Sequence, residues 1–153
     1  MGNRAGATLW HRFGDCTPGA TLQQVAWPMG MASHEGCLYV ADAGNHRILR
    51  LVTGSQSAEV VFGGGEKGRR LDQLMRPAAI AFHEDSMYIV DSGNCRILRV
   101  RPGESKGELV FGSRGSGLHQ LLDPYGVTFH DGNLYIADFG NHRILRVHPG
   151  EKV

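Results

Sequence analysis

Short apolar runs, separated by glycine, aspartate, asparagine and proline, make up most of this chain. The runs are four or five residues long, as at 126–129, 134–137 and 143–147, and they are rich in β-branched and aromatic residues. No window has a sustained helical period. Within each run the apolar residues are consecutive rather than alternating, which is typical of strands covered on both faces. The pattern therefore predicts an all-β protein made of packed sheets.

One motif occurs three times, with the form Asp-x-Gly-Asn-x-Arg-Ile-Leu-Arg. It starts at Asp42, Asp91 and Asp138, so the copies are 49 and then 47 residues apart. A Leu-Tyr-Val-Ala-like run leads into each copy, and a proline stands 14 residues ahead of each Asp. The repeat motifs span 28–52, 77–101 and 124–148. Four strands per repeat at this period are typical of a β-propeller, with about three four-stranded blades in this chain.

These residues resemble the NHL repeat. The resemblance rests on Pro-x-Gly-Val, then Leu-Tyr-Ile-Ala-Asp, then Gly-Asn-His-Arg-Ile, in three copies over nearly the whole chain. The departures are Ala79 in place of the glycine after the proline, and Cys95 in place of the histidine. The resemblance implies a β-propeller, commonly six-bladed. It also implies a function among protein-binding and RNA-binding platforms, extracellular or periplasmic sensors, and a few lyases or hydrolases.

The chain is expected to form a single propeller segment over 1–153, about half of a six-bladed propeller. A strand-like run at 8–14 has the spacing of a fourth strand and is expected to complete a blade. Closed propellers usually need ~4–8 blades, so two alternatives stay open. Two chains could join head to tail in a homodimer with six blades, or the sequence is a fragment of a longer protein.

Charge and cysteine content limit the partners and the compartment. The net charge of +1 predicts no bulk attraction to nucleic acid or membrane, and no apolar stretch approaches the ~20 residues of a membrane span. The three cysteines are odd in number and stand at non-equivalent repeat positions, which argues against a disulfide framework and favours the cytoplasm. No cofactor is predicted.

The repeated motif is predicted to be structural. Its Asp and Arg bracket a four-residue turn and should face each other across the ladder. Its glycine should supply a left-handed residue, and its asparagine should hydrogen-bond to its own backbone. Three identical copies do not offer one acid and one base in distinct environments, so no catalytic residue is assigned. The structural residues are Asp42, Gly44, Asn45, Arg47, Asp91, Gly93, Asn94, Arg96, Asp138, Gly140, Asn141 and Arg143.

Two sets of equivalent histidines are candidate metal ligands. Repeat symmetry could bring them around one axis, and imidazole suits zinc or copper. However, no two of these histidines have a short ligand spacing, and Cys95 interrupts the second set. An acidic residue follows each histidine of the first set, which indicates a turn with a polar partner, so no metal site is predicted. The sets are His34, His83 and His130, and then His46 and His142.

Arginine supplies 13 of the 16 basic residues and recurs at the far end of the third strand. Arginine is suited to bidentate contacts with carboxylate or phosphate. Single-stranded RNA binding would also need exposed aromatic side chains, for which Phe139 and Trp27 are the candidates, although Trp27 could lie in the core. A solvated rim that protects strand edges is the alternative interpretation. The recurring residues are Arg50, Arg99 and Arg146.

The function predicted from these observations is a non-catalytic interaction platform that binds a protein partner through its loop faces. Repeats differ most in their turns, where Ala43, Ser92 and Phe139 occupy equivalent sites. Phe139 is the candidate anchor, unless its ring folds back over the turn. His46, His142 and the three recurring arginines are further candidate binding residues. RNA binding through an arginine-rich face is the alternative, and a metal-dependent or acid–base lyase or hydrolase is the third.

Overall fold

A computed structural model describes residues 13–52, 54–55 and 57–150, and the described chain is all-β apart from three single 3₁₀ turns. Blade 1 contains β1 (Pro28–His34), β2 (Cys37–Asp42), β3 (Arg47–Val52) and β4 (Ala58–Gly63). Blade 2 contains β5 (Pro77–His83), β6 (Ser86–Asp91), β7 (Arg96–Val100) and β8 (Glu108–Phe111). Blade 3 contains β9 (Pro124–His130), β10 (Asn133–Asp138) and β11 (Arg143–Val147). Most of the strand-like run at 8–14 lies outside the described residues.

Each blade is an antiparallel sheet whose strands follow chain order. The orders are β1-β2-β3-β4, β5-β6-β7-β8 and, among the described residues, β9-β10-β11. The first strands of the three blades lie side by side within the chain, because β5 packs against β1 and also against β9. No helix within the described ranges is long and apolar enough to cross a membrane. The architecture confirms the predicted propeller segment of about three blades.

The hydrophobic core lies between the blades. Ile48 of blade 1 belongs to one buried cluster with Ile89 of blade 2, and Ile97 of blade 2 belongs to another with Ile136 of blade 3. All four side chains are fully buried. Both faces of blade 2 are therefore consumed by packing, as the consecutive apolar residues predicted.

The outward faces of blades 1 and 3 are open among the described residues. Ile144 is 69% exposed, whereas its repeat equivalents Ile48 and Ile97 are fully buried. On the opposite side, Met31 is 64% exposed, whereas its equivalent Ile80 is 5% exposed. These side chains occupy positions that a neighbouring blade covers elsewhere in the same chain.

The turns between the second and third strands correct one expectation. Each is a 3₁₀ turn, and the left-handed residue is not the glycine but the residue that follows the asparagine, with φ of 57° at His46, 53° at Cys95 and 54° at His142. Gly44 is needed for another reason. Its N–H donates to the Ala26 carbonyl at 2.8 Å, and a Cβ at Gly44 would lie 2.7 Å from that oxygen. The glycine thus permits close approach of two backbone segments.

Candidate functional site

The end of the sheets that carries the three 3₁₀ turns is called the turn end. In blade 2 the carboxylate of Asp91 accepts three hydrogen bonds there. Its Oδ1 accepts from the Met75 N–H at 2.7 Å, and its Oδ2 accepts from Asn94 Nδ2 at 2.8 Å and from Arg96 Nε at 2.7 Å. Asp91 faces Arg96 across the ladder, and the corresponding bonds recur in blades 1 and 3.

The guanidinium of Arg96 holds the segment that links blade 1 to blade 2. Its Nη1 donates to the Arg69 carbonyl at 2.7 Å, and its Nη2 donates to the carbonyls of Arg70 and Gln73, each at 2.9 Å. Asn94 adds a bond to the Gly68 carbonyl at 2.7 Å. The expectation that the asparagine bonds to its own backbone was therefore wrong, because its amide group bridges the linker and the aspartate. Equivalent bonds hold the linkers before blades 1 and 3.

All three aspartates of the motif are fully buried. Burial raises the pKa of Asp91, outweighing the hydrogen bonds from Asn94, Met75 and Arg96. Burial also acts to raise the pKa of Asp138, but there the equivalent hydrogen bonds outweigh it and the pKa is lowered. The difference follows from the open face of blade 3, where Arg143 keeps 25% of its side chain exposed. The carboxylates are engaged in hydrogen bonds that hold the scaffold together.

His46 and His142 have different surroundings although they are repeat equivalents. Nδ1 of His46 accepts a hydrogen bond from the Arg76 N–H at 3.1 Å, so a neutral ring helps to hold the linker. Burial lowers the pKa of His46, and the charges of Lys67 and Arg76 lower it further. His142 is exposed on blade 3. Within the described ranges, neither histidine belongs to a group of side chains that could ligate a metal.

Exposed aromatic side chains mark the turn end. Phe139 is 65% exposed, and its ring meets the ring of Tyr125 edge to face with centroids 5.4 Å apart. Because most of the side chain is exposed and its ring contacts Tyr125, Phe139 does not fold back over its own turn. Trp27 is 75% exposed at a φ of 49°, so the possibility that it lies in the core was wrong. Its indole lies beside the turn of blade 1, because a Cβ at Gly44 would stand 3.0 Å from the indole Cε3.

The opposite end carries the hairpins between first and second strands and is called the hairpin end. Here two of the three recurring arginines are paired with acidic residues of the fourth strand. Arg50 forms an ion pair with Glu59, and Nη2 of Arg99 lies 2.7 Å from Oε2 of Glu108. Arg146 is exposed on blade 3. Because two of the three arginines are neutralised, they do not form a uniformly basic surface.

Two histidines of the first set contact the next blade in a way that sequence reasoning missed. His34 stacks on Phe82 with ring centroids 4.2 Å apart, and His83 stacks on Phe129 at 4.3 Å. An acidic partner from the same turn was expected. Such a contact is present at His83 (3.9 Å) and His130 (3.4 Å), whereas the acidic contact of His34 is with blade 2. The sequence feature that could have indicated this stacking is the Phe-His pair in the second and third repeats, at 82–83 and 129–130.

Comparison with known proteins agrees with this architecture. The NHL repeat family matches residues 121–146, which lie at the end of the linker and in blade 3. Residues 121–146 of this chain therefore carry an NHL repeat. The two upstream copies of the same motif, at Asp42 and Asp91, build the same turn and the same hydrogen bonds, so the NHL pattern extends over all three blades. None of the curated proteins matches the chain significantly in sequence.

Several solved structures share the fold. An auxiliary nutrient binding protein from Bacteroides thetaiotaomicron superimposes with a TM-score of 0.67 at 20% identity, over 84% of this chain and 39% of that one. A chain of a nidogen/laminin complex gives 0.60 at 17%, over 81% and 49%. Virginiamycin B lyase from Staphylococcus aureus gives 0.57 at 20%, over 81% and 39%. The chain therefore spans less than half the length of these proteins, and at such identities the likeness shows the fold alone.

Proposed function

We propose that this NHL-repeat segment is a non-catalytic platform that binds a protein partner through the turn end. The observation that carries the proposal is the contrast at one repeat position. Phe139 is 65% exposed there, on the open side of blade 3. The equivalent Ala43 and Ser92 are small, are 3% and 6% exposed, and belong to turns that the next linker contacts. An aromatic side chain on a rigid turn exposes a large apolar surface at little conformational cost, which is typical of an interface anchor.

The surroundings of Phe139 support this role. Tyr125 supports the ring edge to face, and both side chains belong to blade 3, close to the exposed His142. The Asp138–Arg143 pair and its bonds to the linker hold the backbone beneath them. The anchor is therefore preorganised, which reduces the entropy lost on binding. Fold likeness to a chain of a nidogen/laminin complex is compatible with a protein partner but does not identify one.

Single-stranded RNA is the second candidate because Trp27 is exposed on the same end as Arg76 and Arg114. Stacking platforms for RNA combine exposed aromatic rings with basic side chains. Trp27 is 75% exposed, and both arginines are exposed. The arginines that recur in the third strands do not add to this surface, because Arg50 and Arg99 lie at the hairpin end and are paired with glutamates.

Homodimerisation into six blades also remains a proposal. The open faces of blades 1 and 3 support it, because Met31 and Ile144 occupy positions that a neighbouring blade buries elsewhere. The open faces of blades 1 and 3 do not match completely. Ser33 of blade 1 stands where blades 2 and 3 have Phe82 and Phe129, so a head-to-tail partner would offer no aromatic ring to His130. The cytoplasmic location likewise stays a proposal from cysteine usage.

Affinity capture with matched variants tests the protein-binding proposal. Phe139→Ser introduces the residue that blade 2 carries at the same position, and Leu118→Ser removes another apolar side chain, 81% exposed, from the linker. We expect proteins captured by the parent and by Leu118→Ser to be lost with Phe139→Ser, while the melting temperature changes little. Partners retained by Phe139→Ser, or a melting temperature that falls with it, would contradict the assignment.

Fluorescence anisotropy with labelled single-stranded RNA tests the second candidate. The parent chain and Trp27→Ala are titrated at low salt, where phosphate contacts are strongest. We expect no micromolar binding from either. Binding by the parent that Trp27→Ala abolishes would replace protein recognition by RNA recognition as the function of the turn end.

A further inference from the structure

A cleft between blades 1 and 2 opens at the hairpin end, away from the turn end to which the function is assigned. It encloses about 460 Å³. Phe82 and Met87 form part of its apolar base, and Arg50 and Arg101 line it nearer the surface. Three further side chains that could bind a cation also line it: His34 and Glu35 from blade 1, and Asp85 from blade 2.

The three side chains already stand close to a ligating arrangement. One atom from each of His34, Glu35 and Asp85 lies within 4.8 Å of the other two. Nε2 of His34 is 3.6 Å from Oδ1 of Asp85. In a tetrahedral zinc site with bonds of ~2.0–2.1 Å, two ligand atoms stand about 3.4 Å apart. The separation between His34 and Asp85 therefore fits a metal ion placed between them.

The imidazole of His34 is held in place by packing. It lies flat on Phe82, with an interplanar angle of 4° and centroids 4.2 Å apart, so the ring cannot turn freely. Its side chain is 21% exposed, whereas that of Asp85 is 71% exposed, which leaves the carboxylate free to adjust around an ion. A fixed nitrogen ligand with exposed carboxylates is an arrangement that a divalent ion can complete at little cost.

Neighbouring charges do not oppose a cation here. Arg50 is paired with Glu59. Arg101 is paired with Glu104 at 3.8 Å and with Glu108 at 3.0 Å. The carboxylates of Glu35 and Asp85 have no such arginine partner among the ion pairs of the described residues, so the local potential at the three ligands is negative.

We propose that His34, Glu35 and Asp85 form a binding site for one divalent first-row transition ion, with zinc as the representative. Imidazole nitrogen selects this class over magnesium or calcium, and carboxylates complete the donor set. The ion bridges blades 1 and 2, and its remaining coordination positions face the cleft. The site is independent of the turn end, so the failure of one proposal leaves the other standing.

The chain contains its own control for this site. Between blades 2 and 3, His83 stacks on Phe129 in the same way, and Glu84 follows it as Glu35 follows His34. However, Gly132 stands where Asp85 would be required, so that interface lacks the third ligand. The proposal therefore expects one ion per chain from this geometry and not two.

The experiment measures zinc binding by isothermal titration calorimetry and thermal unfolding after removal of metal with a chelator. The variants are Asp85→Asn, which keeps the size of the side chain and tolerates the φ of 61° at this position, and His83→Gln as the matched control. Zinc at 100 times its Kd should raise the Tm of the parent and of His83→Gln by roughly 5–10 °C. Asp85→Asn should lose one equivalent of zinc and this rise.

A second variant keeps the test decisive if Asp85→Asn folds poorly. Asp85→Gly introduces the residue of the other two hairpins, Gly36 and Gly132, whose φ values of 74° and 71° match the local turn. It should raise the Tm without metal and abolish the effect of zinc. Because thiol-bound zinc would survive both substitutions, an unchanged stoichiometry in both variants overturns the proposal. So does a parent chain whose Tm does not respond to zinc.

Discussion

Replacing Asp91 by alanine removes the acceptor at the centre of the blade 2 network. Three donors lose their partner at once: the Met75 N–H, the Asn94 amide and Nε of Arg96, all within 2.8 Å of the carboxylate. Asp91 is fully buried and the Arg96 side chain is 11% exposed, so water cannot fully replace the lost bonds. The substitution leaves a nearly buried guanidinium without its counter-ion.

The cost follows from that uncompensated charge. Breaking a buried ion pair by removing one partner costs about 3–5 kcal/mol. We therefore expect the free energy of unfolding to fall by about that amount and the Tm to fall by roughly 6–20 °C. Asp138→Ala should cost less, because the Arg143 side chain is 25% exposed and can be solvated after the loss.

Urea denaturation followed by circular dichroism measures the difference, with Glu108→Ala as the control. Glu108 also pairs with an arginine, Arg99, but its side chain is 49% exposed, so its removal should cost at most about 1 kcal/mol. Equal losses for Asp91→Ala and Glu108→Ala would refute the argument that burial makes the Asp–Arg pair essential. A loss for Asp91→Ala below about 1 kcal/mol would refute it as well.

Two further predictions concern a histidine and an open face. Because the pKa of His46 in the folded chain is lowered, the unfolded chain takes up a proton first as the pH falls through 6.5. Stability should therefore decline below that pH, and His46→Asn should decline less in thermal unfolding scans between pH 7.5 and 5.5; parallel curves would contradict this. Ile97→Ser should cost several kcal/mol, whereas Ile144→Ser should stay within about 0.5 kcal/mol in a monomer, because these side chains are 0% and 69% exposed. Urea denaturation and light scattering on both variants provide the check. A large loss of stability in Ile144→Ser, together with dissociation of a dimer, would mean that the face of blade 3 is covered in solution.

Much of the candidate site could not be predicted from the sequence because its parts come from different repeats. The cross-blade stack of His34 on Phe82 joins residues 48 positions apart, and no local pattern announces it. The same holds for the contact of His34 with Asp85. In contrast, the exposed position of Phe139 was suggested by the unlike residues at one repeat position. Whether its ring stands out or folds back depended on Tyr125, fourteen residues upstream.

The sequence by itself determined the fold class, the three blades that the described residues form and the strands within each blade. Period, turn residues and consecutive apolar runs are local properties, and three copies make the register unambiguous. Only the tertiary structure decided the roles inside the motif. The glycine of each turn serves close backbone approach because a linker carbonyl lies against it, and the left-handed conformation falls on the residue after the asparagine. Likewise, Arg96 and its equivalents bind linker carbonyls as well as the aspartate, because the tertiary fold places those carbonyls beside each guanidinium. For Arg96, whose side chain is nearly buried, little solvent is available to the remaining N–H groups.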